Sequence, residues 1–217
     1  MAHELSRDLP LELRQALMRA GAAVAAAPQQ NLPPVHRRVV YAILGHSDPA
    51  SPRGWLALFT AQRVADLWQA ASRRLFVGDP LATIEGVLRG SLPAFAGRQA
   101  AQAAWRQLVA APAPAPDPRA LDAAQAVVQA LGEVLGADPF HALSLRHTTA
   151  DEELDPAASD TARWAAAAYS GRLGTAGSDP KRRGEFWQWW LYEAVPTAWN
   201  AGAGVPGREN IVRPKIW

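Results

Sequence analysis

Ser178-Asp179-Pro180-Lys181-Arg182-Arg183-Gly184-Glu185-Phe186-Trp187-Gln188-Trp189-Trp190-Leu191-Tyr192-Glu193-Ala194-Val195-Pro196-Thr197-Ala198-Trp199 carries four of the chain's nine tryptophans. It opens as a helix. Ser178 or Asp179 can accept from the first unpaired amides, and Pro180 suits the first helical position, where its missing N–H costs nothing. Pro196 lacks a donor and crowds the carbonyl four residues back, which predicts a kink or break near Tyr192. Phe186, Trp190 and Ala194 form one row at helical spacing. Trp187, Leu191, Val195 and Ala198 form a second beside it, and Trp189 lies on neither. A helix apolar on most sides is normally enclosed by other helices. The pattern therefore predicts a central helix that gives Phe186, Trp187, Trp190, Leu191 and Trp199 to the core. Trp189 and Tyr192, at its edge, are candidates for a binding surface, since such rings are common interface anchors. If buried, Glu193 needs a cationic partner.

The rest of the chain repeats this helix-and-break grammar. Its 217 residues are 49% hydrophobic and 19% charged, an ordinary globular balance and enough for one good core. Alanine is abundant, β-branched residues are sparse, and proline marks the breaks, so the fold class expected is all-α, a single-domain multi-helix bundle over 1–217. Helices are expected at about 9–27, 34–44, 52–76, 80–89, 93–111, 119–135 and 157–173. Arg37 and Arg38 stand near a helix start, the unfavourable end for cations, which suggests another reason for their presence. The alternative is that they are solvated bases paired elsewhere. Residues 112–118, Pro-Ala-Pro-Ala-Pro-Asp-Pro, read as an extended surface loop or linker. Residues 204–217 read as an irregular C-terminal tail. No run alternates like a strand.

Charge and composition narrow the function classes. The formal net charge is +2, and the arginine pairs at 37–38, 73–74 and 182–183 are dispersed, which argues against a nucleic-acid partner. There is no cysteine, so disulfides, thiolate metal sites and a cysteine nucleophile are excluded. The first residues lack an apolar signal segment, and no apolar run approaches the ~18 residues of a membrane span. The expectation is a soluble cytoplasmic protein with no membrane partner.

The densest polar cluster is His141, Arg146, His147, Asp151, Glu152, Glu153 and Asp155. The histidines lie six apart, off a common helical face, and no HExxH pattern occurs, so no metal is assigned. The cluster reads as a solvated acidic loop, or as a recognition loop that meets a basic face on a partner. His46, Ser47 and Asp48 are consecutive and unsupported by a GxSxG elbow, which argues against a triad. Neither GxGxxG nor a P-loop is present, and no cofactor and no catalytic residue is assigned.

From Arg182 to Trp199 the sequence resembles the C-terminal signature of the fifth immunity-protein family of bacterial polymorphic toxin systems. Asn31-Leu32-Pro33 followed by the basic-apolar helix from Arg37 to Leu44 resembles that family too. The resemblance implies a helical protein encoded beside a toxin that it neutralises, with the cognate toxin domain as its protein partner. If that partner is a toxin, the acidic loop and the aromatic edge described above offer His147, Asp151, Glu152, Glu153, Asp155, Trp189 and Tyr192 as the candidate toxin-binding residues. Two other readings of the residues stay open. One is a hydrolase that reverses the toxin's modification, and the other is a helical scaffold for a different partner.

Overall fold

The computed structural model describes residues 9–45, 51–72, 78–110, 117–140, 151, 154 and 159–203. Among them all regular structure is helical. The order is α1 (Leu11–Ala26), α2 (Pro34–Leu44), α3 (Pro52–Gln62), α4 (Ala65–Ser72), α5 (Pro80–Leu88), α6 (Ala94–Val109), α7 (Pro118–Val134), α8 (Thr161–Ser170) and α9 (Pro180–Trp189). A π-helical turn over Trp190–Ala194 then leads without a break into α10 (Val195–Ala203). The expected linker 112–118 and tail 204–217 lie mostly outside the described residues, except that Asp117 and Pro118 start α7.

Four helix starts follow one local rule. Ser51, Asp79, Asp117 and Asp179 each precede a proline, and each side chain accepts a bond from an amide of the first turn. The side chain satisfies a donor that the helix cannot, while proline supplies the right φ and removes another. Two expected helices are shorter in the structure. The helix expected over 52–76 is divided by a turn at Arg63 and Val64, with Val64 buried in it. The turn leaves α4 on α7 while α3 also reaches α5, α8 and α10. The helix expected over 157–173 runs only from Thr161 to Ser170, because Asp160 caps its start and Gly171, at φ 82, ends it.

One hydrophobic cluster joins residues from Leu9 to Ala198. The alanine-rich α7 buries residues around most of its circumference and touches α3, α4, α5, α6 and α8. Small side chains allow that many close approaches, whereas large ones would hold the neighbours apart. The Trp-rich helix packs on α1, α3 and α8. Within it Phe186, Trp187, Trp190 and Leu191 are fully buried, and Trp199 packs partly buried against the cluster.

The kink or break expected near Tyr192 takes the form of a π turn over Trp190–Ala194, and the apolar spacing explains it. Phe186, Trp190, Ala194 and Ala198, like Trp187, Leu191 and Val195, recur every four residues. In a straight α-helix each step of four overshoots a full turn by about 40°, so three steps rotate the row by roughly 120° and out of the core. One widened turn cancels most of that drift. Val195 N–H donates to Trp190 O, five residues back. The same widening relieves Pro196, whose ring would otherwise press on the Tyr192 carbonyl. Glu193 is exposed, so it needs no buried partner. Gly202 lets α10 meet the start of α3, where a Cβ would lie 2.5 Å from Pro52 N.

Trp190 is the centre of this packing. Its Nε1 donates to Thr60 Oγ1 at 3.2 Å, and its ring meets Tyr41 and Trp187 at centroid distances of 6.1 and 5.8 Å. Trp190→Ala is expected to lower unfolding stability by ~3–5 kcal/mol in a denaturant titration. An unchanged midpoint would contradict the central role of the ring.

Candidate functional site

The site grows from one cation. Arg37 is completely buried in the first turn of α2. Its Nε donates to Asp160 Oδ2 at 3.0 Å, and its Nη1 donates to Asp151 Oδ2 at 3.1 Å and to Leu32 O at 2.6 Å. Its Nη2 donates to Asp151 Oδ1. Asn31 Nδ2 donates to Asp151 Oδ2 at 2.8 Å, and Asn31 Oδ1 accepts from Trp187 Nε1 at 3.1 Å. The guanidinium carbon stands 5.5 Å from the Trp187 ring centroid. The other oxygen of Asp160 caps α8 through Arg163 N–H at 3.0 Å. One ion cluster thus ties α2, the 31–33 connector, Asp151, the start of α8 and the Trp-rich helix together.

Electrostatics agree with this geometry. Burial alone pulls the Arg37 pKa down, but the two carboxylates more than reverse it and hold the pKa above its ordinary value. Burial pushes Asp151 up, and Arg37 and Asn31 overcome that and hold it below the usual carboxylate range. The solvated-base reading of Arg37 therefore does not hold. The cation sits at the helix start because its carboxylates arrive there from elsewhere in the chain.

Beside the cluster opens a cleft of about 210 Å³ lined by Asp151, Arg163, Trp164, Ala167, Arg172, Leu173 and Arg183. The Arg163 and Arg172 guanidinium carbons stand 5.3 and 5.8 Å from the Trp164 ring centroid. Each cation already has protein partners. Arg172 forks onto buried Asp122 at 2.6 to 3.0 Å, Arg183 donates to Gly171 O, and Arg163 donates to Ser159 Oγ and Leu154 O. The cleft is a cationic, Trp-floored notch with its charges committed to the fold. Among the described residues no group of three or more His, Cys, Asp or Glu is placed to hold a metal. No described helix is long and apolar enough to cross a membrane.

The two stretches that carried the sequence resemblance, Asn31-Leu32-Pro33 and the Trp-rich run, touch directly through the Asn31–Trp187 bond. A family profile described as immunity protein Imm5 matches residues 2–197. The chain belongs to the Imm5 family of immunity proteins. No curated protein matches it.

The candidate contact residues of this Imm5 chain are placed differently from one another. His147, Glu152, Glu153 and Asp155 lie outside the described residues. Asp151 is not a solvated charge; it faces inward on Arg37. Trp189 is half-buried, 5.6 Å from Phe186 and 5.0 Å from the Arg63 guanidinium carbon. Tyr192 is half-buried with its hydroxyl over Gly21 of α1, where a Cβ would lie 2.0 Å from it.

A second buried polar group escapes a reading by motif. Glu133 Oε1 accepts from Thr161 N at 2.7 Å and from Thr161 Oγ1 at 2.9 Å. Burial is the main force that lifts its pKa from 4.5 to about 7; Asp160 adds to the rise, while Arg53 and the Thr161 bonds oppose it. Tyr41 is pushed well above its ordinary value by its own burial and then by Glu133. The sequence signal was a carboxylate on the buried Ala126–Ala130 row of α7.

Two outcomes follow for this Imm5 chain. Arg37→Met leaves two inward carboxylates unpaired and should cost ~3–5 kcal/mol in chemical unfolding at neutral pH. Arg37→Lys should recover only part of that, because an ammonium cannot fork onto Asp151. Glu133 binds its proton more tightly folded than unfolded. Its contribution is therefore complete below pH 4.5 and lost as pH rises through about 7. Glu133→Gln should flatten that decline, so that its melting temperature gains on the wild type at pH 8 relative to pH 5. A gain equal at both pH values would contradict the assignment.

Proposed function

We propose that this protein binds the toxin domain encoded beside it, one to one in the cytoplasm, and holds that toxin inactive without catalytic turnover. Membership of an immunity-protein family over residues 2–197 is the observation that carries this reading. The physical features are those of a preformed binder. An aromatic core and buried ion clusters fix the helices before the partner arrives, which limits the ordering cost of association. The formal net charge of +2 argues against wholesale mimicry of a nucleic acid, so the contact relies on local shape and local charge.

The test is a titration of purified toxin domain with purified protein, read both by calorimetry and by residual toxin activity. Heat and inhibition should reach their endpoints together at one molar equivalent. Full protection at a small fraction of an equivalent would replace this reading with an enzyme that acts on the toxin or its product.

A further inference from the structure

Large apolar side chains are concentrated on one helix surface. Among the described residues the exposed ones are Leu11, Met18, Val39, Leu92, Phe95, Trp105 and Val109, and the last four lie on α6 or the turn before it. Phe95 is 59% exposed, Trp105 41% and Val109 67%. With Arg98 and Gln102 they follow helical spacing, so they form one continuous outward stripe.

The register of α6 is locked with this stripe outside. Its fully buried residues are only Gly97 and Ala104. At Gly97 a Cβ would lie 2.9 Å from Leu135 Cδ2 and 3.0 Å from Val87 Cγ2, so α7's end and α5 press directly on the helix. Rotating α6 to bury Phe95 or Trp105 would lift Gly97 out of that contact. The rings are therefore outside by construction. Isolated surface leucines are ordinary, but a single outward stripe that sets Phe95 and Trp105 on either side of Arg98 and Gln102 marks an interaction surface.

Charge identifies the kind of partner. Arg98 and Arg106 are exposed on α6, and the helix contains no Asp or Glu. Glu85, the nearest preceding acid in the sequence, is paired with Arg89 at 2.8 Å. A second copy is a poor occupant, because antiparallel α6 helices crossing at Gln102 would set Arg98 against Arg106 with no carboxylate between them. An acidic surface with apolar pockets fits, with Phe95 anchoring one end of the stripe, Trp105 and Val109 the other, and Arg98 between them to meet a carboxylate. We infer that the outer face of α6 is the docking surface for an acidic face of the toxin that carries apolar pockets. The inference rests on the neutralisation reading for the identity of the partner.

The experiment compares wild type, Phe95→Ala/Trp105→Ala and Arg98→Glu/Arg106→Glu against the toxin domain encoded beside the chain. Both variants alter exposed side chains, and circular-dichroism melts should match the wild type. The alanine pair should weaken the toxin complex by roughly 100-fold or more. The charge-reversed pair should slow association at least about tenfold at low salt, with the gap closing in ~1 M salt. Wild-type affinity in a folded alanine variant overturns the assignment of this face and leaves neutralisation standing. A concentration-dependent dimer in sedimentation, abolished by the alanine pair, overturns it in favour of self-association. Binding to anionic lipid vesicles that blue-shifts tryptophan emission only when Trp105 is present, with toxin affinity unaltered by the variants, overturns it in favour of a membrane surface. A wild-type protein that does not bind the toxin at all sinks the neutralisation reading and, with it, the partner named here.

Discussion

A guanidinium with no access to water must be surrounded by its counter-charges, and the arrangement around Arg37 follows from that requirement. Asp151 and Asp160 lie more than a hundred residues away in the chain, yet both point at it. Asp160 is held there while it also starts α8, and Asn31 is held there while it also receives Trp187. A buried ion pair of this kind adds little net stability compared with apolar packing of the same volume. What it does impose is selectivity, since a misplaced α2 or α8 would leave an uncompensated charge inside. That is a physical reason for the 31–33 connector and the Trp-rich helix to occur together as sequence marks.

The aromatic and alanine-rich parts of the core solve opposite problems. α7 packs against five helices because most of its buried side chains are Ala or Val. The Trp-rich helix must keep very large rings facing inward over more than three turns, and its four-residue spacing does not match 3.6 residues per turn. The π turn at Trp190–Ala194 reconciles the two. Proline at 196 is tolerated at that place because the carbonyl it would crowd is already displaced from ordinary helical geometry.

On the proposed reading as a binder, the protein gains from having its rigid and its sticky parts on different elements. Here the ion clusters and rings are inside, and the exposed aromatic and cationic groups of α6 sit on a helix seated through Gly97 and Ala104. Such a helix can present large side chains outward without asking the core to reorganise when they meet a partner, which keeps the ordering cost of binding small. The cationic cleft beside Trp164 has the opposite character. Its arginines are spent on Asp122, Gly171 and Ser159, so its charge holds loops in place.

The sequence by itself determined the helical class, most helix starts and the aromatic core, because these depend on local chemistry. A Ser or Asp before Pro begins α3, α5, α7 and α9, and fully buried Phe186, Trp187, Trp190 and Leu191 announce themselves by size and spacing. Asp151 was legible as part of an acidic stretch, but its inward turn was not, since nothing near it in the chain names Arg37. The outward stripe on α6 was equally hidden: Phe95 and Trp105 look like core residues until Gly97 is seen against Leu135 and Val87. Only the tertiary structure decided which charges were buried and which rings were exposed. Burial is set by what packs on the other side of a residue, and that neighbour is supplied by distant parts of the chain.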